Sequence, residues 1–234
     1  MKAIFKREMR AYFTTPVGYI FIGIFLILSG ILFIMYNLYG GYPSLDGVLY
    51  SLLVIFMFLV PVLTMRLLSE ERNIKTDQIL LTSPIKVQDI VLGKFFAAAA
   101  VYIITLLLTL MYLIVIAKHG SPSYAQIFCN YIGFALLGIT YVSIGLFISS
   151  LTESQIISAV ITFAVLLGLY RLDALKNSIN NPILSEIFSW LALTARFEEF
   201  NLGVLNVVPI VYYLSITALF LFFTGLAIER RRLK

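Results

Sequence analysis

Six stretches of the chain carry no Asp, Glu, Lys or Arg: residues 11–45, 47–65, 95–117, 120–152, 154–170 and 200–228. Trimmed at their turn residues, they predict apolar helices over 17–39, 47–67, 93–117, 126–150, 154–171 and 207–228. Each approaches the about 20 residues that a bilayer demands of a spanning helix. The runs are rich in Leu, Ile, Phe and Gly without period-two alternation, which predicts helices and not barrel strands.

Between the apolar runs, three segments have patterns of their own. Residues 2–13, KAIFKREMRAYF, place Phe5, Met9, Tyr12 and Phe13 on one helical face and Lys6, Arg7 and Arg10 on another. That pattern predicts an interfacial amphipathic helix within 1–15, and Thr15-Pro16 then suits the start of the first span. The second segment, Arg66 to Lys94, holds nine of the 29 charges. Ser69 is expected to cap a new short helix within 69–83 that carries Glu70 and Glu71 in its first turn and Ile74, Gln78 and Leu81 along a stripe. Ser83-Pro84 then opens a helix that runs into the third span. The third segment, 172–206, contains ILSEIFSWLALTARFEEF, whose apolar part is too short to span and predicts short helices dipping into or lying on the outer leaflet.

Composition turns these helices into a class. With 61% hydrophobic and 12% charged residues and a mean hydropathy of +0.98, the chain reads as one membrane domain over 1–234, since soluble domains carry roughly 25% charged residues. Lys and Arg are distributed thirteen to four between the two sets of loops. This bias predicts both termini and the charged insert in the cytoplasm, and the net charge of +5 is topology, with no nucleic-acid partner implied. The basic start resembles a signal peptide, but its apolar run is longer than an h-region and is expected to be a retained span. A single cysteine, Cys129, excludes an internal disulfide.

Candidate chemistry is sparse. No G-x-x-x-x-G-K-[ST], H-E-x-x-H or G-x-S-x-G segment occurs, so the chain has no such phosphate cradle, zinc site or nucleophile elbow. His119 is expected to be solvated. The spans are read as essentially free of ionisable groups, Arg171 and Asp173 coming closest at an outer rim, which argues against an ion-coupled pump. Tyr102, Tyr112, Tyr141, Phe134, Phe147 and Phe163, with Gly133, Gly138, Gly145 and the run Ala97 to Ala100, pack helices or line a cavity for amphipathic cargo.

Three stretches carry a resemblance: FKREMRAYFTTPVGYIF at 5–21, LLSEERNIKTDQILLTSPIKVQDIVLGKFFA at 67–97 and GLFISSLTESQ at 145–155. With the order of elements, they resemble the ABC-2 type permeases of ATP-binding-cassette transporters, and more narrowly the gliding-motility-associated permease. The middle stretch keeps Glu70, Glu71, Thr76, Leu80, Leu81, Pro84 and Lys94, but has Lys75 where the family has glycine and Asp77-Gln78 near an expected Glu.

The resemblance implies an all-α fold of six spans with an N-terminal elbow helix and a cytoplasmic coupling helix. Glu70, Glu71, Arg72, Lys75, Thr76, Asp77, Gln78 and Leu81 would meet a separate ATPase, and Phe5, Lys6, Arg7, Met9, Arg10, Tyr12 and Phe13 the membrane interface. ATP and Mg would sit in that partner, with no cofactor on this chain. A second permease copy or paralogue, an accessory membrane-anchored subunit with an external domain, membrane lipids and a bacterial cytoplasmic-membrane location are implied with it. The alternative function left open is a non-catalytic scaffold or channel-like protein.

Overall fold

The computed structural model describes residues 1–76, 86–120, 122–176 and 192–232, the side chains at 119 and 173–176 excepted. Among these residues there is no strand, and six helices are long and apolar enough to cross a membrane. They are span 1 (Pro16–Tyr39), span 2 (Asp46–Asn73), span 3 (Val87–Lys118), span 4 (Tyr124–Leu151), span 5 (Gln155–Leu172) and span 6 (Val207–Arg232). An N-terminal helix, Lys2–Thr14, precedes them. Thr15 is extended and Pro16 opens span 1, as the sequence predicts, although the Thr15 hydroxyl donates back to Ala11 O (2.7 Å) and caps nothing.

Span 4 is the axis of the bundle. In its most apolar window 72% of residues are buried, against 17% in span 5 and 22% in span 6, so spans 5 and 6 turn most of their surface outward. Small residues let neighbours close on it, as expected where helices lack a hydrophobic drive to associate. A Cβ at Gly138 would stand 2.3 Å from Tyr102 Cζ, and one at Gly145 2.3 Å from Thr64 Oγ1.

Of the aromatic residues read as helix packing or a cavity lining, Tyr102, Phe134 and Tyr141 are core, while Tyr112, Phe147 and Phe163 are partly buried. Phe56 lies 4.7 Å from Tyr102, 5.6 Å from Phe134 and 6.1 Å from Tyr141 between ring centroids, with Phe25 at 6.1 Å. All five are fully buried. Interlocking rings of this kind leave no room for a guest, because each ring fills the gap left by the next. Phe147 packs on Phe220 and Phe223, and Phe163 on Phe58.

Beyond the far end of the bundle, the described part of the 172–206 loop forms a helix, Ala195–Asn201, sunk between spans 4 and 6. Phe197 and Phe200 are fully buried, Phe197 against Phe134 at 6.2 Å and Phe200 over Gly133. Tyr213 OH donates to Leu193 O (2.6 Å) and Gln126 Nε2 to Asn201 O (3.1 Å). The apolar segment from 187 to 191, with Trp190, lies outside the described residues.

Two expectations at the charged insert are corrected. No new helix begins at a Ser69 cap: span 2 breaks at Met65 and resumes at once as a helix over Arg66–Asn73, in which the Ser69 hydroxyl donates back to Met65 O. Nor does the helix entering span 3 begin at Pro84, since Lys86 is extended and the first helical residue is Val87; Ser83 and Pro84 themselves lie outside the described residues.

Candidate functional site

The break in span 2 lies at Met65, where Met65 N still donates to Pro61 O (2.8 Å); the amide that Pro61 lacks would have served Met57 O, a turn earlier. Ser149 of span 4 then enters the ladder: its Oγ accepts from the amides of Leu68 and Ser69 and donates to Met65 O, each at 3.1 Å. One hydroxyl thus uses its single donor and both lone pairs on the freed backbone groups. The Arg66–Asn73 helix, here the insert helix, is therefore pinned to span 4 where it leaves span 2.

One face of the insert helix closes a buried charge cluster. Lys94, in span 3 and 1% exposed, aims its ammonium at Glu71 Oε2 (2.9 Å), Glu8 Oε1 (3.1 Å) and Leu67 O (2.5 Å). Three N–H groups meet three acceptors, which is the condition for burying an ammonium. Arg7 completes the cluster, with Nη2 2.6 Å from Glu8 Oε1 and in contact with Glu71 Oε1. Two cations and two carboxylates sum to zero. Burial by itself raises the Glu8 carboxyl, but the Lys94 ammonium and the Arg7 guanidinium outweigh it and hold the group below the ordinary 4.5.

The cluster corrects the reading of the spans as free of ionisable groups, and it contains a residue that sequence reasoning passed over. Ile4, Glu8 and Tyr12 are spaced i, i+4, i+8 and make up the inward stripe of the N-terminal helix, with Ile4 and Tyr12 buried. A carboxylate on an apolar stripe was the available signal, and Lys94 sits likewise among Val87, Ile90, Val91, Ala97, Ala98 and Val101 of span 3. Tyr12 OH donates to Leu63 O (2.7 Å) and Ile4 rests on Gly93, so the helix is fastened at both ends. Phe5, Met9 and Phe13 are half-buried against the core, while Lys6 and Arg10 are exposed.

An adjacent face of the insert helix grips the turn between spans 4 and 5. Arg72 donates through Nη1 to Leu151 O (2.9 Å) and pairs through Nη2 with Glu153 Oε1 (2.7 Å). Arg231 of span 6 donates to Ser150 O. Two guanidinium groups thus satisfy the last carbonyls of span 4, which have no intrahelical partners and lie at the negative end of its dipole. Arg66 links sideways, to Thr15 Oγ1 (2.6 Å) and Glu70 Oε2 (3.0 Å). The N-terminal helix, the insert, the span 4–5 turn and the end of span 6 meet at one end of the bundle.

Of the residues expected at an ATPase contact, Glu71 and Arg72 are therefore engaged within the chain. Glu70 is paired with Arg66 at the surface, and Asp77, Gln78 and Leu81 lie outside the described residues. Ile74 and Lys75 form the exposed tip. There the helix ends in a Schellman closure: Thr76 N donates to Glu71 O (2.9 Å), Lys75 N donates to Arg72 O (3.2 Å), and Lys75 adopts φ 57°.

That left-handed position explains the glycine seen in the ABC-2 type permeases that this stretch resembles, because a side chain there costs about 1–2 kcal/mol. Lys75→Gly is expected to stabilise the protein by about 0.5–1 kcal/mol, part of the relief being offset by glycine's larger unfolded-state entropy. Denaturant midpoints of the two purified proteins measure it; an unchanged or lowered midpoint contradicts the assignment.

A family model described as "ABC-2 family transporter protein" matches residues 3–228. No curated protein matches the chain.

Proposed function

The chain belongs to the ABC-2 family of transporter proteins, and from that premise we propose that it receives the work of ATP hydrolysis from a separate ABC ATPase through the tip of the insert helix. As a multi-pass permease subunit it supplies the membrane path and the partner supplies ATP and Mg. The observation that carries the reading is the double fastening of the insert helix. Glu71 ties it to the N-terminal helix and span 3, and Arg72 ties it to the span 4–5 turn. A push on Ile74 and Lys75 therefore reaches these three elements together, since a stiff, packed body transmits displacement without absorbing it.

Three further parts belong to the proposal. The thirteen-to-four distribution of basic residues supports a cytoplasmic place for the tip and both termini, in a bacterial cell as the resemblance implies. A second copy or paralogue completes the path, as the resemblance implies. The stretch 67–97 supports placing the subunit with gliding-motility-associated transporters, in export or force transmission, beside a membrane-anchored accessory subunit.

The test is coexpression with an ABC ATPase encoded beside this chain, followed by copurification. Ile74→Asp combined with Lys75→Glu is expected to lower recovery of the ATPase at least tenfold, while the unfolding midpoint of the permease stays within experimental error. Undiminished recovery together with an unchanged ATPase rate would remove the tip from the coupling path. Orientation is read separately, in whole cells. A cysteine replacing Lys75 should react with a membrane-impermeant maleimide only after the membrane is opened, and one replacing the exposed Glu198 before it. The reverse order overturns the topology.

A further inference from the structure

Span 3 changes its winding before its far end. It is helical over Val87–Leu108 and again over Met111–His119, and between these pieces the amides reach back three residues instead of four. Thr109 N donates to Leu106 O and Leu110 N to Leu107 O (each 3.1 Å), Tyr112 N to Thr109 O and Leu113 N to Leu110 O (each 3.0 Å). No proline or glycine stands between Ile103 and Lys118 to impose this. The cause is Thr109, whose hydroxyl donates back to Leu106 O (2.6 Å) and lies 3.0 Å from the Tyr131 hydroxyl of span 4. A threonine bonded to its own helix bends it, and a short three-residue winding inside a long helix is where that helix turns.

The two sides of this pivot are held differently. Below it, Val87–Leu108 buries residues on every turn. Beyond it, Ile116 is the one buried side chain among the described residues 111–118, and Met111 and Ile114 are exposed. This outer piece, here the arm, leans on span 1 through Tyr112, whose ring stacks on Phe33 with 4.5 Å between centroids and whose hydroxyl lies 2.8 Å from Ser29 Oγ. Behind the arm is a recess of about 250 Å³, walled by Val115 and Ile116 of the arm and by Phe33, Asn37 and Leu38 of span 1. Asn37, 8% exposed, donates through Nδ2 to Tyr42 O (2.6 Å) and Ser44 O (2.8 Å), but its Oδ1 is buried without a partner. A closed arm keeps that acceptor unsatisfied, which works against the latch, and an arm swung away lets water reach it. Opposed contributions of similar size make both positions accessible.

We propose that Met111–His119 is a hinged gate: it pivots at Thr109, closes on span 1 through Tyr112, and on opening uncovers the recess and Asn37 Oδ1. The gate lies at the opposite end of the bundle from the insert helix and uses none of its fastenings, so its failure would leave the coupling reading intact.

Electron paramagnetic resonance of the full chain in detergent tests it, with nitroxide labels on cysteines replacing Leu38 and Lys118, one on each side of the recess, in a Cys129→Ala background. The dipolar spectrum is expected to contain a broadened component from the closed arm and an unbroadened one from the open arm. Tyr112→Phe, which keeps the ring and loses the hydroxyl bond, should raise the ratio of open to closed about fivefold, the value of one net hydrogen bond, and Ser29→Ala should move it in the same direction. A second label pair below the pivot, at the exposed Ile24 and Ile104, should keep its spectrum in both variants. A single component that neither substitution changes, or an equal change in the two label pairs, overturns the proposal.

Discussion

Lys94→Met is expected to lower the stability of the purified protein by about 3–5 kcal/mol, the range for removing one member of a buried ion pair. The side chain that replaces the lysine fits the space, so the loss is electrostatic. With the ammonium gone, Glu8 and Glu71 share the single guanidinium of Arg7, and Leu67 O loses its donor. Adding Glu71→Gln rebalances the cluster, because one carboxylate then faces one cation. The double variant should accordingly recover more than 1 kcal/mol of the loss, a coupling that unfolding curves of the four proteins in one detergent will read. A single substitution costing under 1 kcal/mol, or a double variant no better than the single, contradicts the cluster.

The same cluster sets a pH dependence with a definite sign. The folded carboxyl of Glu8 titrates below 4.5. Its contribution is therefore complete above that pH and fades as the pH falls through the lowered folded value. In Lys94→Met the largest attraction holding the Glu8 carboxyl down is absent, and stability should depend less on pH in that acid window.

Gly138→Ala is the second large effect, expected at about 1–3 kcal/mol for a methyl forced into a packed core. The new Cβ would lie 2.3 Å from Tyr102 Cζ and 2.4 Å from Cε1. The ring cannot retreat, since the tilted Phe56 ring lies 4.7 Å away and the Tyr102 hydroxyl is committed to Phe134 O at 2.7 Å. Tyr102→Leu is costly by itself through the cavity it leaves. Combined with Gly138→Ala it should cost less than the sum of the two. Additive losses in that cycle would mean that spans 3 and 4 are not in contact at this point.

The spans were legible because length and absence of charge are local properties, and six runs of the right size fix six helices whatever they pack against. The N-terminal helix was legible for the same reason: Phe5, Met9, Tyr12 and Phe13 share a face at helical spacing. Glu8 and Lys94 escaped because each looks like a surface charge until the other is placed beside it, and 86 residues separate them. Ser69 misled because a serine before two acids has the form of a helix cap. The break falls at Met65 instead, where the hydroxyl of Ser149, 80 residues from Ser69, takes up the freed backbone groups and the helix resumes through Ser69. The aromatic residues of spans 3 and 4 announced burial by their type, but whether they enclose a space or fill it depends on ring against ring, which spacing along one helix does not encode. Lys75 was legible as a departure from the resembled family, and its reason became physical only with the left-handed backbone.

The charge cluster also orders the making of the protein. Glu8 is synthesised 86 residues before Lys94, so at about 5–20 residues per second the N-terminal helix exists for about 4–17 s without the cation that lets it bury its carboxylate. During that interval it has Arg7 as company and no seat in the bundle. This helix is thus unable to dock until the third span has been threaded into the membrane, and a chain arrested before residue 94 would leave it on the lipid surface.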